Sequence, residues 1–96
     1  MFVIRDIFTA KPGMASKLAK LIKDVWVDSG EHGKVRVLTD AVGEYNTVVM
    51  ETEVREIGEL EQRMKRYMQD PEIKKKMAGY TDLWITGRRE ILQVKD

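Results

Sequence analysis

The chain has 96 residues, with 17 basic against 16 acidic side chains, one histidine and no cysteine, and 43% of it is hydrophobic. This composition fits a single globular domain over residues 1–96 and excludes a disulfide framework or a cysteine-based zinc site. A net charge of +1 argues against a dedicated polyanion binder, and no apolar run approaches the roughly 20 residues of a membrane-spanning helix.

Residues 2–9 are rich in Phe, Val and Ile and predict a strand. Arg5 and Asp6 interrupt the opening apolar stretch, so it does not read as an export signal, and the cytoplasm is the expected compartment. Lys11-Pro12-Gly13 ends the strand, and a helix is expected over residues 14–28. Its apolar residues Leu18, Leu21, Ile22, Val25 and Trp26 fall on one helical face. Ser29-Gly30 and Gly33 mark the exit. Residues 34–41 and 45–53 alternate as strands around a turn at Gly43 and predict a hairpin. A second helix is expected over residues 56–69, with Ile57, Leu60, Met64, Tyr67 and Met68 as its apolar stripe. Asp70-Pro71 opens a short third helix, with aspartate as cap and proline in the first turn. Residues 83–94 form the last strand. This order predicts an α+β fold, the ferredoxin-like βαββαβ arrangement, with a four-stranded antiparallel sheet and the helices on one face.

The strands carry apolar residues at both parities. In the first, Phe2, Ile4 and Phe8 share a parity with Asp6, while Val3 and Ile7 share the other with Arg5. Two helices cover only one face of a sheet, so the second face is expected to meet another copy, giving a homodimer. Assigning Val35, Val37, Val48, Met50, Leu83 and Ile85 to the helix side puts Arg36, Leu38, Asp40, Val49, Glu51, Trp84, Thr86 and Arg88 on the far face. The first strand cannot be phased this way.

Charges in such a face need partners. Arg36, Glu51 and Arg88 either pair with one another or line a wet cavity as candidate catalytic groups. There an arginine or a protonated acid would stabilise an enolate-like intermediate. Asp40 beside Glu51 suits a cross-strand ion pair with Arg36 better than acid–base work. Tyr45 and Trp84 are candidate ligand-stacking residues, with plain packing as the competing use. The methionines at 64, 68 and 77 fall at helical spacing and read first as core. Lys74-Lys75-Lys76, with Arg63, Lys65 and Arg66, reads as a solvated face. His32 lies in a glycine-flanked loop without neighbouring ligands, so no metal site is expected. No cofactor signature is present. RNA binding would need exposed aromatics on the first and third strands, and the third offers only Tyr45.

Three local features carry a family likeness. Thr9-Ala10-Lys11-Pro12-Gly13, Gly43-Glu44-Tyr45-Asn46-Thr47-Val48-Val49, and Asp70-Pro71-Glu72 with Tyr80 resemble, in order and spacing, the dimeric α+β barrel superfamily. That superfamily includes NIPSNAP proteins, antibiotic-biosynthesis monooxygenase-like domains and stress-responsive A/B barrels. The likeness implies a homodimer whose sheets face each other, with a cavity for a small hydrophobic molecule. The likeness carries no reaction across, since NIPSNAP members largely lack an assigned one; two roles stand as alternatives, cofactor-independent oxygenase or isomerase chemistry on a hydrophobic substrate, or ligand binding without chemistry in a stress-related dimer. The haem-degrading relatives use a histidine for which the sequence offers no counterpart.

Overall fold

The computed structural model describes residues 1–27 and 35–95. The expected helix end at Asp28, the Ser29-Gly30 and Gly33 exit, His32 and the strand start at Lys34 lie outside the described residues. The elements are β1 (Phe2–Ala10), α1 (Ala15–Ile22), β2 (Val35–Thr39), β3 (Thr47–Val54), α2 (Ile57–Gln69), α3 (Pro71–Lys76) and β4 (Trp84–Gln93). The sheet is antiparallel, in the order β2-β3-β1-β4. The α+β, ferredoxin-like arrangement read from the sequence is the one observed.

The helix expected through residue 28 changes winding partway. After Ile22 the chain continues as a wider π-helical stretch, Lys23–Val27. The apolar stripe survives that change: Leu18, Ile22 and Val25 are buried, with Leu21 and Trp26 packed beside them. Trp26 meets Tyr67 of α2 edge-on at 4.2 Å between centroids, which ties the two helical segments together. Asp70 caps α3 as expected, its Oδ1 accepting the Glu72 N–H at 2.9 Å.

Three sequence expectations need correction. The hairpin strands stop short of their expected ends, at Thr39 and Thr47. Asp40 is therefore not a strand residue on the far face. Its carboxylate closes the loop by accepting the Thr47 N–H at 3.0 Å, and Asn46 takes a positive φ of 65° to make the return. In α2, Ile57 and Met68 are 43% and 68% exposed, and the inward stripe is Leu60, Arg63, Met64 and Tyr67. Arg63 is thus not part of a solvated basic face, although Lys74, Lys75 and Lys76 are exposed. Finally, Trp84 lies on the helix side, not the far face. The β1–β4 register shifts between Thr9 and Ala10, so Ala10 pairs with Trp84 while Thr9 pairs with Thr86. Ile85 is the extra residue of this bulge and is 58% exposed.

Register also settles β1. Ile4, Asp6 and Ala10 are buried under the helices, with Phe8 packed against the core. Val3, Arg5, Ile7 and Thr9 take the opposite face, alongside Val49, Glu51, Thr86 and Arg88 across the ladders.

Candidate functional site

A solvent-open cavity of about 410 Å³ lies between the sheet and the helices. Its aromatic wall comes from Phe8 on β1, Trp26 on the π-helical stretch, Tyr80 in the 3-10 turn before β4, and Trp84 on β4. Phe8, Tyr80 and Trp84 contact one another, with ring centroids 5.5 to 6.1 Å apart in tilted or edge-on geometry. Met50, Met64 and Met77 complete the lining. Thioether side chains adapt to varied shapes, which suits a binding cavity as well as a core. Gly87 opens space for the Phe8 ring: a Cβ there would sit 3.1 Å from Phe8 Cδ1.

Against this apolar wall stand three polar groups besides Arg88 at its edge. Asp6 is 9% exposed although it lies mid-strand. Register places Arg89 directly across from it, and Asp6 Oδ1 accepts from Arg89 Nε at 2.6 Å. The third group is the Tyr80 phenol. Burial raises its pKa above the ordinary 10.0, and the Asp6 carboxylate adds to the rise. Trp84 and Arg89 act in the opposite direction. Tyr80 is therefore a neutral hydrogen-bond donor at physiological pH. The Trp84 indole Nε1 is itself buried and makes no geometrically sound hydrogen bond to a described residue. A carboxylate, a guanidinium and a phenol on one aromatic wall can remove a proton from a bound molecule and hold the oxyanion that forms.

The residues singled out from sequence do not converge. Trp84 lines the cavity. Arg88 stands on the edge strand between this cavity and an open hollow of about 530 Å³ on the far face, and pairs with Glu90 at 3.7 Å. Arg36 and Glu51 are on the far face only. Arg36 Nη2 donates to Glu51 Oε1 at 2.7 Å, and Arg5 Nε lies 3.6 Å from Oε2, so Glu51 is held between two arginines as an ion pair. Tyr45 is 86% exposed at the hairpin tip. Sequence reading missed Asp6, Arg89 and Tyr80 as a group. The signal available was the parity of Asp6 with Ile4 and Phe8, a charge on an otherwise apolar face. Among the described residues no cluster of three His, Asp or Glu is placed to hold a metal ion, and no helix is long and apolar enough to cross a membrane.

No protein-family profile matches the chain, and no curated protein matches it. Solved structures do. A NIPSNAP family protein of unknown function from Agrobacterium tumefaciens superposes with a TM-score of 0.83 at 19% identity, over 96% of this chain and 86% of that one. An uncharacterised NIPSNAP domain protein from Burkholderia xenovorans gives 0.84 at 15% identity, over 99% and 95%. A proposed antibiotic biosynthesis monooxygenase from Deinococcus radiodurans gives 0.73 at 10% identity, over 100% and 94%. The fold is thus the one found in NIPSNAP and monooxygenase-like structures, as the sequence motifs suggested.

Proposed function

We propose that this NIPSNAP-like chain takes a small, flat hydrophobic molecule into the cavity between its sheet and its helices, and that Asp6, Tyr80 and Arg89 support cofactor-independent proton transfer there. The observation that carries this reading is the Asp6–Arg89 pair, a 2.6 Å contact set in a wall otherwise built of aromatic rings and methionines. Cavities that combine apolar walls with a few convergent polar groups are the usual form of small-molecule sites. In the chemistry proposed, the Asp6 carboxylate takes a proton from a carbon beside a carbonyl. The resulting enolate oxygen accepts hydrogen bonds from the Tyr80 O–H and the Arg89 guanidinium. An isomerase returns the proton at another carbon. In a cofactor-independent oxygenase the enolate gives one electron to dioxygen, the substrate radical and superoxide join in a C–O bond, and the proton held on Asp6 completes the hydroperoxide.

Two copies are proposed to pack through their far sheet faces, where Ile7 and Leu38 offer apolar surface near the Arg36–Glu51 pair. The cytoplasm is the compartment proposed, on the sequence expectation alone.

The neutral dye N-phenyl-1-naphthylamine tests the cavity. Saturable binding at one site per chain, lost in Met64→Trp, is the expected result; non-saturable binding, or binding unchanged by that variant, would remove the cavity from consideration. The aromatic ketone 2-tetralone tests the chemistry. In D2O its α-protons should exchange faster with the protein present, and Asp6→Asn should abolish the acceleration. Dye binding without exchange would leave a binding protein and no enzyme. Light scattering gives the mass, with a dimer near twice 11.1 kDa expected.

A further inference from the structure

The inward stripe of α2 contains a charge that the chemistry above does not use. Arg63 stands three residues after Leu60 and four before Tyr67, on the face that packs against the sheet. Its side chain is only 17% exposed. Its Nη1 is buried and has no hydrogen-bond partner among the described residues. Its Nη2 comes no nearer than 4.0 Å to Glu59, whose own side chain is 40% exposed.

Arg63 borders a second, smaller void of about 30 Å³ together with Thr52 of β3 and Tyr67 of α2. That void and the 410 Å³ cavity share Asp6, Trp26, Met50 and Met64 as common walls. The small void therefore adjoins the larger cavity across shared side chains, with an arginine on its rim.

The charge balance of this region is uneven. Asp6 is already bonded to Arg89 through Oδ1. Asp6 thus shares its surroundings with two guanidiniums, and the one acid paired with Arg63 among the described residues, Glu59 a turn earlier on α2, is held only at 4.0 Å with its side chain 40% exposed. A guanidinium held away from water with an unpaired N–H is an incomplete hydrogen-bonding arrangement, and its planar fork matches a carboxylate.

We propose that Arg63 is the anion anchor of the cavity, and that the ligand is a hydrophobic molecule bearing a carboxylate. This rests on the cavity reading above and deepens it by naming the ligand class. The apolar body of the ligand lies among Phe8, Met64 and Trp84, while its carboxylate accepts from Arg63 at the adjoining void. Arg89 remains with Asp6.

The test compares 2-naphthoate with 2-naphthamide, which share a body and differ in charge. Wild-type protein should bind the acid about 10- to 100-fold more tightly, the range of one charge-assisted hydrogen bond. Arg63→Met should bring the two affinities together with amide binding intact, and Arg63→Lys should keep most of the preference. Equal binding by wild-type protein overturns the proposal, and that measurement stands even if Arg63→Met does not fold. A preference that survives Arg63→Met but is lost in Arg89→Met also overturns it, by moving the anchor to Arg89. Neutral-dye binding without naphthoate binding overturns this inference and leaves the cavity reading intact. If neither the dye nor naphthoate binds, both fall together.

Discussion

Gly87→Ala is a sensitive probe of the cavity wall. Register places Gly87 opposite Phe8. An alanine Cβ would stand 3.1 and 3.3 Å from Phe8 Cδ1 and Cε1, and 3.6 Å from Trp84 Cζ3. Carbon pairs settle at about 3.5–4.0 Å, so the Phe8 ring must give by roughly 0.4 Å. Overpacking of this kind costs about 1–2 kcal/mol. Replacing a strand glycine returns about 0.5–1 kcal/mol of backbone entropy. The net expectation is a loss of about 0.5–1 kcal/mol, or roughly 3–6 °C in Tm for a domain of this size. With Phe8→Ala as background the clash is gone, and Gly87→Ala should instead stabilise by the entropy gain alone. Urea unfolding of the four proteins closes the double-mutant cycle, with an expected coupling of about 1–2 kcal/mol. Additive single effects would refute the placement of the Phe8 ring against Gly87, and with it this description of the wall. Because Phe8 lines the cavity, the displaced ring should also weaken binding of the neutral dye.

Two further outcomes follow from the geometry. Tyr80 has a folded-state pKa raised above its unfolded value, so the folded form holds its proton longer; the stability from this group is complete below pH 10 and is lost as pH rises through the folded value. Tyrosinate absorbance should therefore show a late-titrating component that Tyr80→Phe deletes; a titration unchanged by the substitution would place the phenol in water. Asp70→Ala should lower stability by about 1 kcal/mol in urea unfolding, because Glu72 N loses its acceptor, while Asp70→Asn should recover most of it; equal losses in both variants would count against the cap.

The elements were legible where one period dominates. The stripe of α1 and the Asp70-Pro71 start of α3 are local signals, and the structure keeps both. What failed was phase. Trp84 went to the wrong face because a bulge adds one residue, and side-chain alternation cannot reveal an insertion whose only trace is pairing with a distant strand. Asp6 escaped notice because β1 is apolar on both faces, so neither parity identified itself as the core. Arg63 was legible in its spacing from Leu60 and Tyr67, yet its charge and its basic neighbours Lys65 and Arg66 made a solvated face the natural reading. In each case the missing information is which residues meet across the fold.

The order β2-β3-β1-β4 seats the first strand between the third and the last. Asp6 finds Arg89 only across a sequence separation of 83 residues. The polar centre is thus assembled only when the two ends of the chain pair as β1 and β4, and loop entropy delays contacts of that kind. Folding should be slow for a protein of this length, and the site should form in the last cooperative step. Until β4 arrives, β1 presents a bare edge beside buried side chains, an invitation to mispairing that the finished sheet removes. The Asp6–Arg89 pair therefore also acts as a checkpoint on completeness, since a chain that has not paired its last strand lacks it.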